Sequence, residues 1–155
     1  MPTYKTRNDK ATIALAKRLA RRMKGGEVIL LQGELGAGKT TFVKGLAATL
    51  GIRNRIKSPT FTLMHVHRVG VRGLPTDQAG QVVGVRYFVH CDAYRVKKAR
   101  ELQDIGLMDY LGCPDTVAVI EWGEKIKPLL RGKKYIVIKF RHGKTEDERI
   151  ITLTP

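Results

Sequence analysis

The stretch Gly33-Glu34-Leu35-Gly36-Ala37-Gly38-Lys39-Thr40 matches the phosphate-binding pattern G-x-x-x-x-G-K-[ST] at every fixed position. Its surroundings restrict the fold further. Val28-Ile29-Leu30-Leu31, just before it, has the composition of a strand buried on both faces. Thr41–Leu50, just after it, places Phe42, Leu46 and Leu50 at helical spacing, and Gly51 stands where the helix must end. Strand, loop and helix in that order predict a nucleoside triphosphate site. Glycines let backbone N–H groups wrap a phosphate without Cβ atoms in the way, and the helix adds its free N-terminal amides and dipole. Lys39 is the mobile charge expected on the β/γ oxygens, and Thr40 offers its hydroxyl to Mg²⁺, which takes few protein ligands. Thr41 either contacts an α-phosphate or packs against the strand.

A chain of 155 residues has room for one domain spanning 1–155 and none for a separate substrate domain. No run approaches the roughly 18 apolar residues of a membrane span. The opening Met1-Pro2-Thr3-Tyr4-Lys5 lacks the apolar region of a signal peptide. Cys91 and Cys113 fit neither a metal spacing nor a disulfide framework, so a cytoplasmic, reducing setting is expected. Lys and Arg number 29 against 14 Asp and Glu, a net charge of +15, with basic clusters at 53–57, 95–100 and 131–144. Such a balance favours polyanions, nucleic acid first, or else marks a well-solvated basic surface. Aromatic residues are sparse, which gives no support to base stacking.

Along the chain, Asn8 or Asp9 can cap a first helix running to about Met23, with Ile13, Ala16, Leu19, Ala20 and Met23 as its buried stripe. Ser58–Leu63 reads as a loop entering a strand. His65–Arg86 reads as an extended basic hairpin turning near Leu74–Asp77, with its second strand through Val82–Val89. Tyr87–Cys91 leads to Asp92. A helix follows from about Lys98 to Gly106, then a short turn to Leu111. Val117–Ile120 is another apolar strand, ending at Glu121-Trp122. A short helix around Glu124–Ile126 is expected to be cut by Pro128. Strands Tyr135–Phe140 and Arg149–Leu153 close the chain around a turn at His142-Gly143-Lys144. The alternation predicts an α/β fold: a P-loop NTPase domain with a mixed, mostly parallel sheet and helices on both faces.

Phosphate-loop enzymes place an acidic residue at the end of a neighbouring strand, beside Mg²⁺. Asp92 and Glu121 both qualify, and both can face the crevice at the strand ends. One carboxylate then serves the metal and the other orients water, or one is a strand-end salt-bridge partner. Trp122 is either a partly buried anchor or a movable side chain near the γ-phosphate or a partner surface. Tyr94 and Arg95 can add a hydrogen bond and a charge to the same region, although Arg95 also suits a plain basic surface. His65 and His67 share a strand face without a third metal ligand, and His90 reads as a hydrogen-bonded core histidine.

Together these motifs resemble the TsaE (YjeE) family of bacterial ATPases. The resemblance rests on G-[ED]-L-G-A-G-K-T-T at Gly33–Thr41, S-P-T-[FY]-T-L at Ser58–Leu63, H-x-D-x-Y-R at His90–Arg95, E-L-x-x-x-G-L/I at Glu101–Leu107 and E-W at Glu121-Trp122. It implies an ATP- and Mg²⁺-dependent ATPase, weak alone and stimulated by partners. Its role would be N6-threonylcarbamoylation of adenosine in tRNAs reading ANN codons, beside a TsaB–TsaD heterodimer that its turnover resets. By matching position, the nucleotide would lie on Gly33, Glu34, Leu35, Gly36, Ala37, Gly38, Lys39, Thr40 and Thr41. Lys39 would contact phosphates, Thr40 and Glu121 would hold Mg²⁺, and Asp92 would position water or join the metal shell. Ser58, Pro59, Thr60 and Phe61 would form a nucleotide-sensing switch, with Trp122 near the nucleotide and adenine near Thr12 and Gly143. The segment between Leu63 and Tyr87 is longer than the family's usual hairpin, and the charge is more positive. Both departures suggest extra attraction to tRNA or to an acidic partner.

Two other readings share the scaffold. A small-molecule kinase needs an acceptor pocket and an arginine-bearing lid, for which only 95–100 is a candidate. A nucleotide-dependent binding module would hydrolyse ATP incidentally. No N-K-x-D motif for reading a base is present.

Overall fold

A computed structural model describes residues 1–52, 56–59, 61–69 and 84–154. The elements are β1 (Thr3–Thr6), α1 (Asp9–Ala20), β2 (Val28–Gln32), α2 (Lys39–Thr49), β3 (Met64–Arg68), β4 (Tyr87–Asp92), α3 (Arg100–Asp104), β5 (Thr116–Glu121), β6 (Ile136–His142) and β7 (Arg149–Thr154). Two 3₁₀ segments, Leu107–Asp109 and Gly123–Leu130, lie among them. The strands form one sheet in the order β1-β7-β6-β2-β5-β4-β3. Its four central strands, β6, β2, β5 and β4, are parallel, and both margins are antiparallel.

The apolar runs become central strands because each side chain of β2 and β5 finds a covered face. Ile29, Leu31, Val117 and Val119 meet Phe42, Val43 and Leu46 of α2 and Leu15 and Ala16 of α1 on one face. Val28, Leu30, Ala118 and Ile120 meet Leu102, Leu107 and Ile126 on the other. Helical segments thus cover both faces, as the alternation predicts. Helices α1 and α2 approach closely at Gly45, where a Cβ would stand 2.6 Å from Ala16 Cβ and 2.7 Å from the Ile13 carbonyl oxygen.

Several boundaries differ from the sequence reading. Asn8, not Asp9, caps α1, its Oδ1 accepting from the Ala11 amide at 2.9 Å. The helix ends at Ala20 rather than Met23, because the Arg22 and Met23 amides turn back to the Leu19 and Ala20 carbonyls in 3₁₀ fashion. Its buried stripe is Thr12, Leu15, Ala16 and Ala20, while Ile13, Leu19 and Met23 are half-buried. Thr12 is drawn inward by a 2.8 Å hydrogen bond with Thr6 Oγ1 of β1, a strand absent from the sequence reading. The described hairpin is β3 against β4, pairing Met64 with Cys91 and Arg68 with Tyr87. Its second strand begins at Tyr87, and 84–86, described just before it, are not part of a strand. Residues 53–55, the turn near Leu74–Asp77, Val82, Val83 and Thr60 lie outside the described residues. Pro128 does not cut the segment after Trp122: a 3₁₀ run continues through it to Leu130. Proline's fixed φ suits 3₁₀ backbone, and only one donor is lost. Strand β6 reaches His142, so the connection to β7 is a loop over 143–148 rather than a tight turn. No helix among the described residues is long and apolar enough to cross a membrane.

Candidate functional site

The glycine loop leaves the C-terminal end of β2 and opens α2. Gly33 has φ +145°, and a Cβ there would lie 2.6 Å from the Phe140 carbonyl oxygen, so the loop can pass β6 only as glycine. Gly38, at φ +94°, is the N-cap residue of α2. Lys39 is buried, and its Nζ donates to the carbonyls of Gly33 and Glu34, both at 2.7 Å. The ammonium also stands 4.2 Å from the centroid of the Trp122 ring. Burial pushes the Lys39 pKa below its ordinary value, while the carboxylates of Glu121 and Asp92 pull it back up.

The parallel register sets Asp92 of β4 directly beside Glu121 of β5. Both carboxylates are buried, yet their partners differ. Glu121 accepts Thr40 Oγ1 at 3.0 Å on each oxygen and bonds His90 Nε2 at 2.9 Å through Oε1. Asp92 accepts the Ser58 hydroxyl and, at 2.9 Å, the Tyr94 amide. The Asp92 amide donates to the Leu63 carbonyl at 2.9 Å, tying the Ser58–Leu63 segment to the end of β4. Trp122, at the left-handed φ of +58°, follows Glu121 and lies 5.2 Å from the Tyr94 ring.

These groups surround one cavity of about 340 Å³. Leu35, Gly36, Gly38, Lys39, Thr40 and Thr41 line its loop side; Ser58, Asp92, Tyr94, Glu121 and Trp122 line the rest. A hydroxyl and a carboxylate in contact beside a phosphate loop form a hard-oxygen donor pair. That pair suits Mg²⁺, an ion that keeps several waters. The arrangement can hold a polyphosphate, a divalent ion and a second carboxylate next to them.

The family model for the threonylcarbamoyl adenosine biosynthesis protein TsaE matches residues 6–151. The chain belongs to the TsaE family. Among similar proteins, a Streptomyces coelicolor tRNA threonylcarbamoyladenosine biosynthesis protein TsaE is 38% identical over 143 residues, covering 90% of this chain and 87% of the relative. The Bacillus subtilis protein of the same name is 37% identical over 151 residues, covering 97% and 84%. The crystal structure of YdiB from Bacillus subtilis superposes with a TM-score of 0.69 at 36% identity, over 98% of this chain and 83% of that one.

Other residues expected from the TsaE resemblance do not line this cavity. Ala37 is buried inside the loop, and the Glu34 carbonyl is a Lys39 acceptor. Pro59 accepts the Leu63 amide at 2.6 Å. Phe61 is 83% exposed, with the Arg95 guanidinium 4.3 Å from its ring centroid. Thr12 is buried on Thr6 and the Asn8 carbonyl, and the space beside Gly143 is filled by Glu148, which a Cβ would meet at 2.3 Å. His65 and His67 lie side by side, ring centroids 6.1 Å apart, with His65 Nε2 2.8 Å from Thr62 Oγ1. Among the described residues no group of three His, Cys, Asp or Glu side chains can hold a metal. Cys91 and Cys113 are both free, and burial raises the Cys91 thiol to about 12.

The sequence reading of this TsaE-family chain missed one side chain, Arg149, and one pairing, that of His90. Arg149, at the start of β7, donates to the carbonyls of Gly36 at 3.2 Å, Glu148 at 3.1 Å and Glu146, so it fastens the phosphate loop to the last hairpin. Its neighbour on β1 is Thr6, which links the Thr6–Thr12 pair to the loop. Nothing in the local sequence marks Arg149, because its acceptor Gly36 is 113 residues away. His90 is hydrogen-bonded in the core as expected; its partner, Glu121, was not foreseen.

Proposed function

We propose that this TsaE-family chain binds ATP with Mg²⁺ and hydrolyses it as one subunit of the machinery for N6-threonylcarbamoylation of adenosine in tRNAs reading ANN codons. Its partners would be TsaB and TsaD, in a reducing cytoplasm, with turnover resetting that complex. The observation that carries the reading is the convergence of Lys39, Thr40, Asp92 and Glu121 on one cavity at a phosphate loop.

In this reading the loop amides and Lys39 hold the β- and γ-phosphates, with Lys39 exchanging its carbonyl acceptors for phosphate oxygens. Thr40 and Glu121 hold the ion; when bound, Mg²⁺ neutralises charge that develops on the phosphoryl oxygens. Asp92, one strand further from the loop, accepts a hydrogen bond from the attacking water and aims it at the γ-phosphorus. The β–γ bridging oxygen leaves on ADP with the bonding pair, inorganic phosphate retains the water's oxygen, and a proton of that water passes by way of Asp92 to phosphate or solvent. Catalysis here is positioning plus charge neutralisation.

Among the described residues no arginine lines the cavity. Arg95 stands over Phe61, and the two terminal nitrogens of Arg149 donate to backbone carbonyls. A transition-state cation from outside the chain contributes about 10³–10⁵-fold in other phosphate-loop enzymes, so the isolated chain should be slow and a partner should accelerate it. Phosphate release with and without TsaB–TsaD tests this. Expected are slow release alone, stimulation by the pair, and loss of stimulation in Glu121→Ala. Turnover at tens per second by the chain alone, or a phosphorylated small-molecule acceptor, would overturn the reading.

A further inference from the structure

His90 sits mid-strand in β4, fully buried, on the sheet face that carries Phe88, Val119 and Glu121. Its Nε2 is 2.9 Å from Glu121 Oε1. An ionised carboxylate has no proton to give, so Nε2 carries the hydrogen and donates. His90 Nδ1 is buried with no partner among the described residues. Packing alone does not account for this residue. A leucine would fill the space without leaving a buried polar atom unsatisfied.

Glu121 receives hydrogen from two sides, Thr40 of α2 and His90 of β4. The two donors differ in what they offer an ion. The Thr40 hydroxyl has lone pairs for a cation as well as the hydrogen it gives to Glu121, so it is itself a candidate ligand. His90, reaching Glu121 from the neighbouring strand, donates to the carboxylate without being a candidate ligand. We infer that His90 is a positioning residue for the metal-side carboxylate: it pins Glu121 Oε1 so that Oε2, beside Thr40 Oγ1, is presented to the divalent ion of the nucleotide complex. Partners of this kind around metal ligands typically contribute 10–100-fold in metal affinity. The inference rests on the reading that Thr40 and Glu121 hold Mg²⁺, and it deepens that reading.

The test uses Mn²⁺ as the probe, its binding to the full chain with a non-hydrolysable ATP analogue followed by electron paramagnetic resonance. The analogue's affinity in EDTA and thermal unfolding report on the loop and the fold. His90→Leu removes the donor, His90→Gln keeps an N–H at similar reach, and His90→Asn draws it back. Expected are EDTA affinities close to wild type throughout, Mn²⁺ affinity about 10–100-fold weaker in His90→Leu and His90→Asn, and recovery of most of it in His90→Gln. Wild-type Mn²⁺ affinity in His90→Leu overturns the inference. Should His90→Leu not fold, equal Mn²⁺ affinities in His90→Gln and His90→Asn overturn it instead. If Glu121→Ala binds Mn²⁺ as wild type does, the metal assignment itself fails, a result separable from any His90 outcome.

Discussion

Thr40 and His90 engage Glu121, whereas Ser58 and the Tyr94 amide engage Asp92, and that difference separates two carboxylates that the sequence leaves interchangeable. Glu121 stands against the phosphate-loop threonine; Asp92 stands against the segment expected to sense nucleotide. Asp92→Asn should therefore leave nucleotide and Mn²⁺ affinity near wild type while lowering partner-stimulated hydrolysis by about 10²–10⁴-fold, the usual worth of a positioned acid–base group. Single-turnover hydrolysis beside equilibrium binding checks this, and a loss confined to affinity would reassign Asp92 to the metal. Away from the cavity, Glu148 binds the Lys5 ammonium at 2.8 Å and the Lys144 amide at 3.0 Å. These contacts, the Lys5 hydrogen bond foremost, hold its carboxyl below the ordinary carboxylate value. A depressed carboxyl stabilises the fold above its unfolded value of about 4.3, and the contribution is lost as pH falls through the lower folded value. The melting-temperature gap between wild type and Glu148→Gln should be present at neutral pH and close on acidification; a gap independent of pH would contradict the linkage.

Among the elements, β2, its loop and α2 were legible because local chemistry dictates them: an apolar run, glycines, then a helical stripe. The Gly45 contact was not, since it depends on how α1 crosses α2. Alanine at 45 would gain about 0.5–1 kcal/mol of helix propensity over glycine. It would also press on Ile13 backbone and Ala16 at 2.6–2.7 Å, distances that neither can relieve by rotating a side chain. Overpacking of this kind costs about 1–3 kcal/mol, so the clash wins and Gly45→Ala should be destabilising by chemical denaturation; a stabilised variant would mean that the helices separate at little cost. Strand β1 escaped notice because Thr-Tyr-Lys-Thr has no apolar run and takes its order from pairing with β7. The pairing of Asp92 with Glu121 and the His90–Glu121 bond were equally hidden. Both follow from the crossover that sets β4 against β5, whose bonded residues lie 31 positions apart. Sequence pattern reports strand ends but not which ends adjoin.

At the scale of the molecule, the +15 charge has a place to act. The helices α1 and α2 pack on one face of the sheet, and the buried cluster on the opposite face reaches only as far as Val137 of β6. Beyond it, register aligns Lys139 with Thr152, Arg141 with Ile150, Thr3 with Thr152 and Lys5 with Ile150. The result is a sheet surface on which Lys139, Arg141 and Lys5 are exposed. Lys5 is matched by Glu148, which leaves Lys139 and Arg141 as the cations most able to meet phosphates. If the basic surface draws the chain toward tRNA, each phosphate contact adds about 0.7–0.9 to the slope of log affinity against log salt. Replacing Lys139 and Arg141 together with glutamine should thus lower the slope by about 1–2 and weaken binding to unrelated tRNAs alike, since phosphate contacts carry no sequence information. Phosphate-loop function, read as nucleotide affinity, should not change. A slope identical to wild type would place the electrostatic attraction elsewhere, and weakening confined to one tRNA would mean that this face reads more than charge.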